Sequence, residues 1–240
     1  MSIGIVIPTY KLCKYRLENL AFNLRHMVAS GIPNIYVVEQ LSEDESVRRV
    51  LESFPRVRYI TKSIEGGVFN KSKLINYSVN ELQFEYIWIY DVDVFMDTKF
   101  VIRSIPDSVD VVRPFEKIIM LNETESEKLK RTDLIYLDKR SYDGYNSFGK
   151  FSLILKRDIF EKVGGYDETF QGWGFQDLDL TQRIPNGCYE GYMTNTGFHM
   201  WHPRPSTEFY QTNKTSFTKR HSGVTKPPRK KKKKNLLDSF

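Results

Sequence analysis

Short apolar runs alternate with longer stretches of helical spacing along the first part of the chain. Residues 3–7, Ile-Gly-Ile-Val-Ile, end at Pro8-Thr9-Tyr10, which predicts a strand followed by a loop. Leu17, Leu20, Leu24 and Met27 then recur at helical spacing until Gly31-Ile32-Pro33 stops the helix. Residues 35–38 predict a second strand, and Ser42-Glu43-Asp44-Glu45 opens a helix through Val47 and Leu51. Tyr59-Ile60 makes a brief third strand. After Gly66-Gly67 a helix runs from Asn70 to about Glu81, marked by Leu74, Val79 and Leu82. Strand and helix in regular alternation imply right-handed βαβ units and a mostly parallel sheet, an α/β fold.

The pattern peaks at residues 86–94, Tyr-Ile-Trp-Ile-Tyr-Asp-Val-Asp-Val. β-Branched and aromatic residues fill a buried strand, and burial stops where Asp91 begins. Beyond it the character changes. Residues 97–112 include a helix or loop and a strand at 109–112, and residues 123–130 are charged and read as surface. Residues 131–148, rich in Asp, Tyr, Ser and Gly, lack periodicity and read as a long loop, functional or disordered. A strand at 151–155 and a short helix at 157–163 follow, ended by Gly164-Gly165.

With 240 residues, 40% hydrophobic and 14% aromatic, the chain suffices for one packed domain. No run of about 18 apolar residues is present, and the N-terminus enters a strand pattern rather than a signal peptide. Cys13 and Cys188 are far apart and lack metal spacing, so no disulfide framework is expected. A cytoplasmic protein is the expectation. The net charge of +6 is a property of the tail: seven of the 36 cations and one of the 30 anions lie in residues 226–240, leaving 29 of each elsewhere. Nucleic-acid enzymes spread basic residues along a working groove, so no nucleic-acid partner is expected. The tail reads as disordered and solubilising; its sharper reading is peripheral contact with anionic lipid, each basic residue near such a surface contributing about 1 kcal/mol.

The candidate chemistry lies at three places. In open α/β sheets ligands sit at the carboxyl ends of the strands, which delivers Asp91 and Asp93 to that edge. Side chains two apart on an extended segment point the same way, and two such carboxylates suit a hard divalent cation. Spacing alone is weak, since Asp177 and Asp179 form a second Asp-x-Asp. Glycines on both sides of Trp173 free the backbone to expose a flat aromatic that can stack on a sugar, against a plainer reading as core packing. Asp177 and Asp179 then fall near a helix N-terminus, where helix capping is the plainer reading. Last comes His199-Met200-Trp201-His202, a weak metal signal by itself; with Asp-x-Asp it makes a mixed oxygen and nitrogen set suited to manganese.

Tyr90-Asp91-Val92-Asp93 after a strand, Gly164-Gly165-Tyr166-Asp167-Glu168 leading into Gly172-Trp173-Gly174-Phe175-Gln176-Asp177-Leu178-Asp179, and His199-x-x-His202 together resemble the GT-A glycosyltransferases. The likeness is to the β-1,4-galactosyltransferase type and to bacterial capsule and chondroitin-type transferases, and spans roughly residues 3–204. It implies a Rossmann-like, mostly parallel sheet with a smaller acceptor-side subregion. It also implies a single domain over residues 1–225, with a nucleotide-binding half at 1–95, an acceptor and catalytic half at 96–225, and the tail outside it. By the same resemblance Asp93, with His202, His199 or both, would ligate Mn2+ or another divalent cation such as Mg2+. Pro8, Thr9, Tyr10, Lys71, Asp91, Val92, Asp93 and Trp173 would bind a nucleotide-sugar donor, with a UDP-sugar expected. Trp173, Gly174, Gln176 and Asp177 would meet a glycan or glycosylated acceptor, with Asp177 as catalytic base of an inverting displacement.

Two departures matter. Gln176 stands where the family has an acceptor-binding glutamate, and Asp93 argues against the branch carrying Asp-x-His, which retains configuration. A catalytically inactive glycan- or nucleotide-binding protein on the same fold is one alternative; a metal-dependent nucleotidyltransferase is another, disfavoured because Pro8-Thr9-Tyr10 offers no Gly- and Arg-rich triphosphate loop.

Overall fold

The structure is a computed structural model that describes residues 1–106, 108–132, 152–204 and 206–222, with backbone alone at Tyr145–Asn146 and Lys234–Asn235. The first half alternates as the pattern predicts: β1 (Ile3–Thr9), α1 (Lys14–Ala29), β2 (Ile35–Gln40), α2 (Ser46–Leu51), β3 (Arg58–Lys62), α3 (Lys71–Glu81) and β4 (Tyr86–Tyr90). Then follow β5 (Val94–Phe95), α4 (Thr98–Arg103), β6 (Val111–Arg113), β7 (Lys117–Met120), α5 (Glu123–Arg131), β8 (Tyr145–Asn146), β9 (Ser152–Lys156) and α6 (Arg157–Lys162). The chain continues through α7 (Gln176–Arg183), β10 (Glu190–Tyr192), β11 (Thr196–His199), α8 (Tyr210–His221) and β12 (Lys234–Asn235).

Two sheets result. The larger has the order β12-β10-β6-β9-β4-β1-β2-β3 and is parallel except at β9, which runs antiparallel to both β4 and β6. Because β1, β2 and β4 are parallel and in register, their carboxyl ends share one edge, where Thr9, Gln40 and Asp91 emerge. The smaller sheet, β5-β11-β7-β8, stands beside that edge.

Strand alternation divides the core into two layers. Ile5, Ile7, Tyr86, Trp88 and Tyr90 face the layer made by Leu20, Leu24 and Met27 of α1. Val6, Ile87 and Ile89 face Leu74, Ile75 and Val79 of α3 and Leu180 of α7. Each of these side chains is buried, contributing about 1.5–3 kcal/mol relative to exposure. The aromatic tips within β4 are satisfied: Trp88 Nε1 donates to Ser152 Oγ at 2.7 Å and Tyr86 Oη to the Val109 carbonyl at 2.7 Å.

Several elements differ from expectation. Residues 123–130 form a capped helix, with Asn122 and Glu125 closing a reciprocal capping box and Ser126 and Leu129 buried, so this stretch has a core face as well as a surface. The segment after β4 is a turn, with Val94 N–H donating to the Asp91 carbonyl at 3.2 Å, so Asp91 and Asp93 do not continue the strand. α8, β7, β10 and β11 carry no apolar periodicity strong enough to predict them. The loop expected at 131–148 lies, beyond Thr132 and apart from the backbone of Tyr145–Asn146, which pairs with β7, outside the described residues, as does the tail apart from the backbone of Lys234–Asn235, which pairs with β10.

Candidate active site

The turn joining the two sheets positions the first carboxylates. The Val92 carbonyl accepts from Asn23 Nδ2 at 2.9 Å, and the Asp93 carbonyl accepts from Met200 N–H at 2.7 Å. These bonds clamp the turn between α1 and the end of β11. His199 closes β11, and His202 follows in a loop tied to α5 by Trp201 N–H donating to Ser126 Oγ at 2.7 Å. Three distant segments thereby converge.

Ligand atoms of Asp93, His199 and His202 all lie within 4.8 Å of one another, a group able to hold one cation. His202 Nε2 is 3.0 Å and His199 Nε2 3.7 Å from the Asp93 carboxylate. One carboxylate and two imidazoles leave positions open for further oxygens, the donor chemistry of a divalent transition metal at a phosphate site. Protonation states suit it. Burial opposes charge on Asp93, but the hydrogen bond from His202 and the neighbouring charges of His199 and Arg16 hold it well below the usual carboxylate range. Burial pushes the His199 imidazole down, against the pull of Asp93, toward the neutral form a ligand needs.

Asp91 belongs to a second constellation. Lys71, in the first turn of α3, places Nζ 2.8 Å from Asp91 Oδ1 and 3.0 Å from the Asp177 carboxylate. Burial pulls this lysine down, but Asp177 and Asp91 outweigh it and keep it charged. Burial pushes the Asp91 carboxyl up to about 6 despite Lys71, with Asp177 and Asp93 adding to the rise. Asp177, the second residue of α7, also accepts from Tyr166 Oη at 2.7 Å. It therefore acts through side-chain contacts rather than as a cap, and α7 begins instead at Phe175 in a left-handed conformation, φ 73°. Asp179 is fully buried among Arg183, Arg220 and His221, so the second Asp-x-Asp divides into one site residue and one structural residue.

The remaining residues expected on the donor side line the same edge. Pro8 and Thr9 end β1 opposite Val38 and Glu39, and Thr9 Oγ1 is buried without a hydrogen-bond partner among the described residues. Tyr10 donates to the Gly67 carbonyl at 2.7 Å and its ring lies parallel to Phe69 at 6.2 Å. Val92 is buried within the turn.

Trp173 is 50% exposed and stacks on Tyr210 of α8 at 5.3 Å, so core packing does not describe it. Gly172 and Gly174 adopt φ 58° and 108°, and a Cβ at either would meet Phe209 or Tyr210 at 3.1 Å. Asn213 holds this loop from α8, its amide donating to the carbonyls of Gln171, Trp173 and Gly174 at 2.7, 3.3 and 3.1 Å. Although Asn213 begins an Asn-x-Thr sequon, it is buried and fully used. Gln176 stands behind the loop, buried, its Nε2 donating to the Gly172 carbonyl at 2.7 Å.

Sequence reasoning did not single out Arg16, Tyr166, Tyr210 or Asn213. Arg16 Nη2 lies 2.8 Å from Asp93 Oδ2 and 3.3 Å from His202 Nε2. Tyr166 sits inside the Gly-Gly-Tyr-Asp-Glu motif, which offered a signal; Arg16 carries none, being one cation on a helix whose pattern reports only its apolar face.

Residues 136–211 match the family described as N-terminal domain of galactosyltransferase. The human β-1,4-galactosyltransferase 4 is 28% identical over 130 residues, covering 52% of this chain; the match spans about a third (32%) of the relative's length. Among solved structures, GalNAc-T7 with UDP, GalNAc and Mn2+ superposes with a TM-score of 0.59 at 11% identity, covering 84% of this chain and 44% of its own. The mannosyltransferase PcManGT from Pyrobaculum calidifontis, with GDP-Man and Mn2+, gives 0.56 at 16% identity, covering 85% and 58%. The chain thus has the GT-A glycosyltransferase fold, with a galactosyltransferase-type segment at residues 136–211.

Proposed function

We propose that this protein is an inverting, metal-dependent glycosyltransferase that moves a sugar from a nucleotide-diphosphate donor, a UDP-sugar by preference, to a hydroxyl of a glycan or glycosylated acceptor. The observation that carries the reading is the adjacency of two constellations on one strand edge. A three-residue cation group at Asp93, His199 and His202 stands one residue from Asp91, which Lys71 links to Asp177. Manganese is favoured by the mixed oxygen and nitrogen donors and by its presence in the GalNAc-T7 and PcManGT structures. When bound, such an ion supplies Lewis-acid stabilisation of the diphosphate leaving group.

The residues of the chain do the rest. Pro8, Thr9 and Tyr10 meet the base and ribose, and the unpartnered Thr9 hydroxyl supports a polar contact there. Lys71 adds a fixed positive charge beside the diphosphate, where charge develops. Trp173 offers its exposed ring to the sugars, with Gly174 giving the backbone room and Gln176 bracing the loop. Asp177, held by Lys71 and Tyr166, keeps lone pairs available to accept the acceptor proton as the hydroxyl attacks from the face opposite the leaving group. A base so placed typically contributes about 10²- to 10⁴-fold. The Lys-rich tail supports peripheral contact with an anionic membrane surface.

The deciding experiment is a screen of nucleotide sugars for Mn2+-dependent turnover, followed by Asp177→Asn. The variant is expected to bind donor as wild type does and to lose transfer. Transfer at the wild-type rate would rule out the base assignment.

A further inference from the structure

Arg16 lies on the first turn of α1, outside every motif used above, yet its guanidinium enters the cation group. Nη2 is 2.8 Å from Asp93 Oδ2 and 3.3 Å from His202 Nε2, and those two atoms are themselves 3.0 Å apart. His202 Nδ1 lies 2.7 Å from the Pro203 carbonyl, which can only accept, so Nδ1 is used there and Nε2 is the ring nitrogen that faces Asp93 and Arg16. One guanidinium nitrogen, Nη2, therefore stands against the same two atoms, Asp93 Oδ2 and His202 Nε2, that would hold a divalent cation.

Both cannot hold them at once. A metal ion binds oxygen at about 2.1 Å, and a guanidinium nitrogen still 2.8 Å from that oxygen would face it as a like charge inside a half-buried site, a repulsion far above thermal energy even with strong screening. Arg16 is also free to leave. Its side chain is 29% exposed, and its buried Nε has no hydrogen-bond partner among the described residues, so moving forfeits no bond to them there. The anionic group that arrives with the cation in a nucleotide-sugar site is the diphosphate, whose oxygens match a planar guanidinium fork.

We propose that Arg16 competes with the divalent cation for Asp93 and His202 and, once displaced, binds the donor diphosphate, so that metal and nucleotide load cooperatively. The inference rests on the metal-site reading given above. It makes Arg16 a diphosphate-binding residue of the loaded site and a brake on metal binding without nucleotide. Reciprocity requires that the factor by which UDP tightens Mn2+ equal that by which Mn2+ tightens UDP.

Calorimetric titration of the full chain with Mn2+ alone, UDP alone and UDP at saturating Mn2+ tests this in wild type, Arg16→Gln and Arg16→Lys. Arg16→Gln is expected to bind Mn2+ alone about tenfold more tightly and to lose about tenfold of the coupling between Mn2+ and UDP. Mn2+ affinity in Arg16→Gln equal to or below wild type, with an unchanged circular dichroism spectrum, overturns the proposal. If Arg16→Gln does not fold, Arg16→Lys decides: weakened coupling with Mn2+ binding retained supports the proposal, and wild-type coupling overturns it. Asp93→Asn separates the two readings, because wild-type Mn2+ binding in that variant removes the metal site itself rather than the role of Arg16.

Discussion

Lys71 Nζ bridges two carboxylates that lie far apart in sequence, 2.8 Å from Asp91 and 3.0 Å from Asp177. Removing the cation leaves two half-buried carboxylates facing each other without their shared partner, a change that costs about 1–3 kcal/mol. Lys71→Met is therefore expected to lower unfolding free energy by roughly that amount. Adding Asp91→Asn should restore part of it, since one of the opposed charges is gone. Urea unfolding of the single and double variants measures both.

Tyr166 orients the proposed base through a 2.7 Å hydrogen bond. Tyr166→Phe keeps the ring within its cluster and deletes only the hydroxyl. A drop in kcat of about tenfold with donor KM unchanged is expected, in the range of a general base losing alignment. Steady-state kinetics with the donor found by the screen provide the readout, and a rise in donor KM alone would contradict the role.

Asn213 ties α8 to the carbonyls around Trp173. Truncation to Ala strands part-buried carbonyls, costing about 1 kcal/mol, and releases the loop. Stability should fall and acceptor KM should rise, while Mn2+-dependent donor binding stays as in wild type. Equal losses in donor and acceptor affinity would show that the loop serves both sides.

The cation group predicts a thermal signature. Saturating Mn2+ at a hundredfold excess over Kd stabilises by about 2.7 kcal/mol, raising Tm, and chelation with EDTA reverses it. His202→Ala should abolish the shift, because it removes one of three ligands. An undiminished shift would place the ion elsewhere.

Acid should loosen α8 first. Burial opposes ionisation of Asp167, but hydrogen bonds from Thr169 and the charge of Arg220 lower its pKa below the ordinary 3.8. A depressed carboxyl stabilises the fold above its unfolded pKa, and that contribution is lost as pH falls through the folded one. Below about pH 4 wild type should therefore lose stability more steeply than Asp167→Asn, measured by unfolding free energy against pH.

Much of the first half of the chain was legible because its signals are redundant. The apolar run Tyr86–Tyr90 is buried on both faces and stops at a charge, and Leu20, Leu24 and Met27 repeat with the helix period. Asp93 and His202 were legible as motif residues, and they meet at 3.0 Å. The second sheet was not, since β7 and β11 are four residues long and take their partners from distant chain. α8 escaped because only Asn213 of its twelve residues is buried, leaving no apolar stripe to read. The expectation that Asp91 and Asp93 point together assumed an extended segment; the turn at Val92 sends one to Lys71 and the other to the imidazoles.

The helix carrying Tyr210 and Asn213 is fastened by polar contacts and ring stacking rather than by a greasy underside, so its outward positions can be varied as long as Asn213, and the Arg220 and His221 that pair with buried Asp179, are kept. Under the proposed function, libraries confined to those outward positions would diversify the acceptor while leaving the cation group untouched.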